Sequence, residues 1–508
     1  MNLLSSASIF SFFTIISRIL GYLRDILIAI FLGASIFADA FFVAFRLPNT
    51  FRRLFAEGTF NAAFIPNYSS AKLKNNKIGK TFADDVLSLL FLILLFIVTI
   101  AEIFTPNLVY LIAPGFISDD VKFNLAVEFT RITFPFLLFV SLSSFFSGIL
   151  NSNNKFAVAA AAPIILNIIL IITILISYLQ GFNIAKQLSF GVTIAGIIQL
   201  IFLIIFTLKF YKPKIKLRFR ISNRVKFFFK KLLPSIFSSG VTQINILVGT
   251  IIASFQPGAV SYLYYAERVY QINLAIAGIA VGTVSLPVLS KAFQLKNYDK
   301  ISKIQNNSIQ LSLLLSIPAC LGLVIASDEI VNGLFGYGSF TSEDVEITSD
   351  ALMFFGYGVI AFSLVKVLAN FFFARNDTKT PFYISVFIVF LNVVISISFF
   401  NVIGFFVIPI ATSISTWIGV LIFLYFLNKK NYLLLRYKLF ENILKIIISS
   451  VFMVMMLVFI LDKFSKYLDY MYTYKSIYLI IIVGFVGAVY LLSCYLFGLL
   501  KIKNYKTN

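Results

Sequence analysis

Long apolar segments, each about as long as a bilayer is thick, follow one another along almost the whole chain. A helix needs about 20 apolar residues to cross the hydrocarbon core of a membrane. Hydrophobic residues make up 60% of the 508 residues and charged residues 12%, against about 45–50% and about 25% in soluble domains. The sequence therefore predicts an all-α polytopic membrane protein, and it excludes a soluble enzyme and a disordered chain.

Turn signals between the apolar segments divide the chain into about fourteen helices. The predicted helices cover approximately residues 6–33, 36–66, 82–105, 122–150, 156–179, 186–209, 226–254, 258–290, 304–326, 346–374, 380–402, 403–428, 441–462 and 475–499. The connections between them are short, so we expect no sizeable soluble domain.

Positive charge is concentrated in every second predicted loop. Lysines and arginines cluster at residues 72–80, 209–224, 291–303 and 429–438 and in the tail after residue 500, whereas the intervening loops around residues 119–120 and 328–346 are acidic. Cytoplasmic loops carry the excess of lysine and arginine in membrane proteins. The pattern predicts a multi-pass membrane protein with both termini in the cytoplasm. It also accounts for most of the net charge of +21, so nucleic acid is not an expected partner.

The chain has no histidine and two cysteines, Cys320 and Cys494. The absence of histidine excludes Ser-His hydrolase chemistry, His-ligated metals and most His-based acid–base catalysis. Both cysteines lie in apolar runs, so no disulfide framework is indicated. We expect neither a metal nor an organic cofactor.

A weak internal repeat relates the first six predicted helices to the next six. Pro66 and Pro287, predicted to end the second and eighth helices, lie 221 residues apart, and Asn167 and Asn392 lie 225 apart. Six helices per half give both halves the same orientation, as in transporters with parallel repeats. We predict two six-helix lobes, residues 1–220 and 221–430, and a pair of C-terminal helices within residues 431–508.

Charged residues inside three of the predicted spans are the strongest functional signal. An ionisable group within a membrane is costly, so its default interpretation is functional. We select as substrate-binding candidates Arg18, Arg24, Arg46, Arg52, Arg53 and Arg268, and as ion-pair or gating candidates Asp25, Asp39, Glu57 and Glu267. The alternative is that these are buried ion pairs, for example Arg24 with Asp25 or Asp39, and Arg53 with Glu57. Arginines outnumber acids here, which favours an anion site.

Pro48 is predicted to break the second helix near the middle of the membrane, so that Thr50 and Phe51 begin a half-helix. The N-terminus of a half-helix attracts anions, and guanidinium groups bind phosphate oxygens in a bidentate way. Arg268 occupies the repeat position next to Arg46, so arginines of both halves are expected to face the region between them. Such a cavity suits a multiply charged anion such as a diphosphate.

Several motifs together resemble one known family. In order along the chain they are SRILGYLRD, ADAFFVAFRLPNTFRRLFAEGTFNAAFIP, LIAPGF, ITFPF, YYAERV, SLPVLSKAF, YGSF and FFARNDTKTP. They resemble the MurJ (MviN) family of lipid II flippases in the MOP exporter superfamily, and the block in the second helix is the most specific.

The resemblance implies a V of two six-helix lobes, as in MATE transporters, with the last two helices forming a groove for a lipid tail. It implies translocation of lipid II, the undecaprenyl-diphosphate-linked precursor of peptidoglycan, from the inner to the outer leaflet by alternating access. Membrane potential or a cation gradient would supply the energy, and contact with the cell-wall synthesis machinery is a further expectation. The family's functional residues fall on Arg18, Arg24, Asp39, Arg52, Arg53 and Arg268.

This chain departs from the family pattern at three positions. Arg46 stands where lysine is common, Glu267 where aspartate is usual, and Asn370 where some members have a proline. The first two changes keep the charge, and the third leaves the flexibility of the tenth helix open.

Three other functions remain as alternatives. A flippase for another lipid-linked oligosaccharide, of the O-antigen or capsule type, would use the same diphosphate site. A MATE-type drug exporter would favour acids and aromatics for cationic drugs, which the arginines argue against. A membrane glycosyltransferase or polymerase would need a catalytic acid on a large external loop, and no clear candidate is present.

Overall fold

The computed structural model describes residues 3–56, 59–215 and 223–500, and every regular element in these ranges is helical. The chain forms two compact units, Met1–Ser261 and Tyr262–Asn508. This division is coarser than the three segments predicted from the sequence and does not test them.

The first unit contains ten α-helices before the start of the eleventh. Their bounds are α1 Leu3–Leu32, α2 Ile36–Ala56, α3 Thr59–Lys74, α4 Asn76–Ile103, α5 Thr105–Ile112, α6 Asp120–Thr133, α7 Phe136–Ser152, α8 Phe156–Gln180, α9 Ile184–Thr207 and α10 Asn223–Ala253, with a short 3-10 helix at Pro114–Ser118.

The second unit begins within α11 and contains ten α-helices in all. Their bounds are α11 Ala259–Asn273, α12 Val281–Gln294, α13 Tyr298–Ile325, α14 Ser327–Phe335, α15 Ser342–Gly356, α16 Val359–Phe373, α17 Lys379–Ile403, α18 Val407–Lys429, α19 Tyr437–Phe464 and α20 Lys475–Leu496. A π-helix, Leu274–Ala280, joins α11 to α12 without a break.

Length and composition are consistent with the predicted fourteen spans. Within the described residues, nine helical runs are long and apolar enough to cross a membrane, and the bent pair α15–α16 counts as a tenth. One of the nine, Lys379–Lys429, contains both α17 and α18. Three more predicted spans correspond to the charged helices α1 and α2 and the partly polar α10. The protein is a multi-pass membrane protein, as predicted.

Several predicted boundaries are wrong. The predicted helix 36–66 covers α2 and the first part of α3, which lie on either side of residues 57–58 outside the described ranges, and Pro66 lies inside α3 rather than ending a helix. Pro287 likewise lies inside α12. A single proline removes one backbone hydrogen bond and often kinks a helix, but neighbouring helices can compensate for the loss in a membrane. The predicted helix 122–150 corresponds to one span, Asp120–Ser152, in which a turn at Phe134 and Pro135 separates α6 from α7.

The tenth predicted span bends by 40° between α15 and α16. At the bend, the Ser413 hydroxyl donates to the carbonyl of Phe354 (2.8 Å), and the Trp417 indole donates to that of Tyr357 (2.9 Å). Two side chains of α18 thus provide hydrogen-bond donors to carbonyls at the bend. A Cβ atom on Gly358 would lie 2.4 Å from Cζ of Phe362 and 2.5 Å from the Ser413 hydroxyl, so a larger residue would displace these side chains at the bend.

Left-handed turn residues and buried asparagines occur in both predicted halves. Asn154, in the turn after α7, and Asn376, in the turn after α16, both have a left-handed backbone, with φ of 58° and 60°. Asn167 and Asn392 are both buried within helices, and each donates a hydrogen bond to a neighbouring helix. Asn167 bonds to α1 and Asn392 bonds to α18, so the two asparagines share a buried position within a helix but contact helices at different places in the two halves.

Candidate functional site

Arg24 lies in the middle of α1 and is almost fully buried. Its Nε and Nη2 atoms donate to the Oδ1 atom of Asp25 at 3.0 and 2.6 Å, and its Nη1 donates to Oδ1 of Asn167 on α8 at 2.9 Å. The Asn167 amide in turn donates to the carbonyl of Ser17, 2.8 Å away. Gly21 faces the same amide. The pairing with Asp25 is one of the two alternatives predicted for Arg24, and it holds the guanidinium in a fixed orientation.

Arg18, one and a half turns earlier on α1, has an exposed side chain. It therefore differs from Arg24, whose charge is largely enclosed by protein. On a helix predicted to cross the membrane, an exposed guanidinium has to reach water, a polar headgroup or a ligand, because hydrocarbon does not solvate charge.

The second helix continues through Pro48 as part of α2, so the predicted half-helix beginning at Thr50 does not exist. Proline at this position cannot bond to the carbonyl of Ala44, one helical turn earlier. The hydroxyl of Thr133, at the end of α6, donates to that carbonyl at 3.0 Å. Because the Thr133 hydroxyl replaces the missing N–H as a donor to the carbonyl of Ala44, α2 remains continuous. The anion site therefore cannot rest on a helix N-terminus inside α2.

The arginines of α2 remain candidates without the half-helix. Arg46, Arg52 and Arg53 all have half-buried side chains. The Nε atom of Arg52 donates to Oδ1 of Asn49, 2.9 Å away, so a neutral amide fixes its orientation. The Nε atom of Arg53 is buried and has no hydrogen-bond partner among the described residues. Glu57, the predicted partner of Arg53, lies outside the described residues.

Asp39, near the start of α2, is fully buried and is the centre of a dense hydrogen-bond network. The Lys122 ammonium donates to its Oδ2 atom at 2.5 Å, and the backbone N–H of Gly258 donates to the same oxygen at 3.0 Å. Ser261 donates to Oδ1 through both its N–H (2.9 Å) and its hydroxyl (2.6 Å). The network joins α2, α6 and the first turn of α11 through one carboxylate. Asp39 therefore pairs with Lys122, whereas Arg24 pairs with Asp25.

The LIAPGF motif supports the same network from the other side. The Lys122 ammonium lies 4.2 Å from the ring centroid of Phe116, a cation–π contact. The backbone N–H of Gly115 donates to the Ser254 hydroxyl at 3.0 Å, and a Cβ atom on Gly115 would lie 2.4 Å from the Ser254 backbone. Glycine is therefore required for the loop to approach the end of α10.

Sequence reasoning misses three residues that hold this site together. In the sequence, Lys122 is notable only as the predicted start of a helix. A lysine beside two aspartates on the predicted external side is nevertheless an exception to the charge pattern, in which lysines cluster in the cytoplasmic loops. Asn167 stands out only as a repeat position, although a buried amide in an apolar span requires a partner. Thr133 gives no signal, because its role depends on the carbonyl that Pro48 frees.

Arg268 and Glu267 lie side by side on α11 in the second unit, both half-buried. The Arg268 guanidinium lies over the ring of Tyr264, with its Cζ atom 4.4 Å from the ring centroid. An aromatic face orients a guanidinium without neutralising its charge. The first unit holds the other five arginine candidates, so the convergence of the two sets stays a prediction.

The FFARNDTKTP motif forms a turn between α16 and α17 rather than part of the arginine set. Asp377 accepts hydrogen bonds from Lys430 (2.7 Å) and from both the N–H and the hydroxyl of Thr380. Burial opposes ionisation of Asp377, but these hydrogen bonds outweigh it and lower its pKa. Asn370, two residues before the motif, donates to the carbonyl of Gly282 on α12 at 2.9 Å, so it connects two helices.

The donor set gives no metal site in the part of the chain that the structure describes. Residues 3–56, 59–215 and 223–500 contain no group of three or more Asp, Glu or Cys side chains placed to hold a metal ion. The chemistry that the arrangement offers is recognition of an anion by guanidinium groups oriented by amides, carboxylates and an aromatic ring.

Comparisons with known proteins give one consistent result. The family model described as "Lipid II flippase MurJ" matches residues 28–483. A protein of Rickettsia prowazekii named probable lipid II flippase MurJ is 36% identical over 99% of both chains, and one of Rhizobium tropici with the same name is 37% identical over 90% of this chain and 86% of its own.

Solved structures resemble the chain in the same way. A lipid II flippase MurJ in an inward closed conformation has a TM-score of 0.83 and 29% identity, and the match covers 96% of this chain and 98% of the other. A multidrug resistance MATE transporter of the MOP superfamily, inward-facing, has a TM-score of 0.67 over 82% of this chain and 94% of its own. At 14% identity the second match shows a shared fold alone.

Proposed function

The chain belongs to the MurJ family of lipid II flippases, and on that premise we propose that it translocates lipid II from the inner to the outer leaflet of the bacterial cytoplasmic membrane. Because the named relatives are flippases, the chain is a transporter, as predicted from the sequence. Beyond this transporter activity, we propose the substrate, the direction of transport and the residues that bind the diphosphate.

The observation that carries the proposal is a set of guanidinium groups inside the spans that are oriented by specific neighbours. Arg24 is fixed by Asp25 and Asn167, Arg52 by Asn49, and Arg268 by the ring of Tyr264. Arginine presents a planar pair of donors that matches two phosphate oxygens, and charge-assisted hydrogen bonds of this kind are about twice as strong as neutral ones. Groups already oriented lose less entropy when a ligand binds.

The proposed cycle begins with the head group entering from the cytoplasmic side. The arginines neutralise the diphosphate, and the prenyl tail stays in lipid beside α19 and α20. A change to an outward-open state then releases the head group outside.

The test is a depletion–rescue experiment in a bacterium whose own lipid II flippase can be switched off. The chain, its Arg24→Ala variant and its Arg52→Ala variant are expressed in turn, and lipid II accessible at the outer leaflet is measured. We expect wild type to restore exposure and both variants to lose it. Arg52 is half-buried and its Nε atom donates to the neutral amide of Asn49, so Arg52→Ala is a second, independent variant that keeps the experiment informative if Arg24→Ala folds poorly.

Arg131→Ala serves as the matched control, because Arg131 is an exposed arginine on α6 outside the proposed set. It should retain near-normal exposure of lipid II. Retained activity in both Arg24→Ala and Arg52→Ala would contradict the diphosphate clamp. Wild type that is folded in the membrane but exposes no lipid II would contradict the substrate, and another lipid-linked saccharide would replace it.

A further inference from the structure

Lys366 is an intramembrane charge to which the proposed clamp gives no role. It lies near the middle of α16, within the bent span α15–α16, and its side chain is exposed. Within the described part of the chain its ammonium forms no hydrogen bond or ion pair. Ionisable residues inside spans are rare and usually face a cavity or a partner. This lysine therefore requires an explanation that the described protein groups do not provide.

The side of α16 that carries Lys366 is the side that packs against the span containing Arg268. Ser363 and Asn370, three residues before and four after, lie on the same face. A Cβ atom built on Gly278, in the π-helix, would lie 3.1 Å from Cα of Ser363 and 3.5 Å from Cγ of Lys366, and Asn370 bonds to the carbonyl of Gly282. The stem of Lys366 therefore runs over the π-helix rather than outward from an isolated helix.

The absence of a side chain at Gly278 makes this packing possible. The built Cβ atom would also lie 3.0 Å from Leu274, so any larger residue would crowd the contact between the π-helix and α16. Segments of π-helix occur frequently at functional sites, where the wider turn repositions side chains. Here the wider turn lies directly beneath an exposed ammonium group.

Arg268 and Lys366 belong to one continuous packed surface within the second unit. Tyr270, half a turn after Arg268, contacts the rings of Phe355 and Phe362 at 4.7 and 5.3 Å, so α11 runs along α15 and α16. Gly278 follows Arg268 by ten residues in an unbroken helical run, which is roughly 15 Å along the axis. Measured along this helical axis, Lys366 thus lies about 15 Å from Arg268, toward the predicted cytoplasmic end of the span.

We propose that Lys366 binds a carboxylate of the peptide carried by the lipid-linked head group while the arginines hold its diphosphate. The inference rests on the proposed function and deepens it, since it divides recognition of one substrate between two cationic subsites. A pentapeptide extends at most about 17 Å, which is enough to place a carboxylate near Lys366 when the diphosphate lies at the level of Arg268. The Lys366 ammonium is a compact point charge that can pair with one carboxylate, and the planar guanidinium groups of the arginines can each bind two oxygens of the diphosphate.

The test uses the full chain in proteoliposomes with two probes that differ only in the peptide. One probe is lipid II with a pentapeptide whose carboxylates are free, and the other is lipid II whose peptide carboxylates are all amidated. We expect Lys366→Met to raise the half-saturating concentration of the free-carboxylate probe about tenfold, the effect of losing one charge-assisted hydrogen bond. Transport of the amidated probe should not change.

Lys366→Arg keeps the charge and should recover most of the lost affinity, which a purely structural role for the lysine side chain would not predict. Lys291→Met is the matched control, because Lys291 is an exposed lysine in the last turn of α12, and it should leave both probes unaffected.

Two results would overturn the inference while leaving the flippase assignment intact. If Lys366→Met raises the half-saturating concentration of both probes equally, Lys366 is a structural or diphosphate-binding residue. If it changes neither value, Lys366 is a lysine that merely reaches the membrane surface. Wild type that transports neither probe would instead refute the proposed function, and this inference with it.

Discussion

Replacing Asp39 with asparagine should destabilise the protein far more than replacing Asp39 and Lys122 together. The two side chains are 0% and 6% exposed, and the ammonium lies 2.5 Å from the carboxylate. Removing one partner of a buried ion pair leaves the other charge without compensation, which typically costs about 3–5 kcal/mol. Asp39→Asn leaves the Lys122 ammonium in that position, and Lys122→Met leaves the carboxylate with neutral donors alone.

The double variant Asp39→Asn/Lys122→Met contains neither charge. The asparagine carbonyl can still accept from Ser261, so the remaining cost is that of weakened hydrogen bonds, about 2 kcal/mol. The double variant is therefore expected to be more stable than Asp39→Asn alone. The loss of stability in the double variant should therefore be smaller than the sum of the two single losses by several kcal/mol. Losses at independent sites add to within about 0.5 kcal/mol, so this coupling is large enough to measure.

The free energy of unfolding of the four proteins can be compared by SDS titration in mixed micelles, with thermal midpoints as a second measure. The exposed pair Lys186–Glu128, 2.7 Å apart and about 45% and 44% exposed, is the matched control, and Lys186→Met should cost less than about 1 kcal/mol. Additive losses in the double variant would refute the reasoning, because they would mean that the two charges do not stabilise each other.

Two further predictions concern local structure. Thr133→Val should destabilise the protein by about 1 kcal/mol because the carbonyl of Ala44 loses its hydrogen-bond donor. In a Pro48→Ala background residue 48 regains its N–H, so Thr133→Val should there cost almost nothing. An equal loss of stability in both backgrounds would contradict this account. Asp377→Asn should lower the thermal midpoint at neutral pH, because hydrogen bonds from Lys430 and Thr380 lower the pKa of Asp377. A lowered pKa stabilises the folded state at pH values above the unfolded pKa of about 4. The difference in thermal midpoint between Asp377→Asn and wild type should therefore shrink as the pH falls below that value. A difference that persists in acid would contradict the role given to these hydrogen bonds.

The spans and their order follow from the sequence because membrane insertion is decided by local physics. A backbone in hydrocarbon must satisfy its own hydrogen bonds, so apolar runs of sufficient length become helices. For this reason the fourteen predicted segments fall largely on helices, although several of their boundaries are wrong, and the intramembrane arginines are evident from their positions within apolar runs. The motifs are specific enough to identify the family, which the comparisons confirm.

Helix breaks cannot be derived in the same way, because they depend on contacts with residues far apart in the chain. The sequence predicts that Pro48 interrupts α2, but Thr133, 85 positions later, supplies the donor that keeps the helix continuous. Conversely, nothing local predicts the bend near Gly358, where Ser413 and Trp417 provide donors from α18. A proline or a glycine permits a break, and the neighbouring helix decides whether it occurs.

The pairing of charges is likewise decided by tertiary structure. Composition shows that arginines exceed acids in the spans, but it cannot distinguish Asp25 from Asp39 as the partner of Arg24. Packing places Asp25 against Arg24 and brings Lys122 to Asp39. Similarly, Phe60, a buried core residue of α3, is indistinguishable by sequence from a phenylalanine that faces lipid. The sequence alone determined which groups enter the membrane, because transfer from water depends on the group itself; which groups meet there depends on how the helices pack.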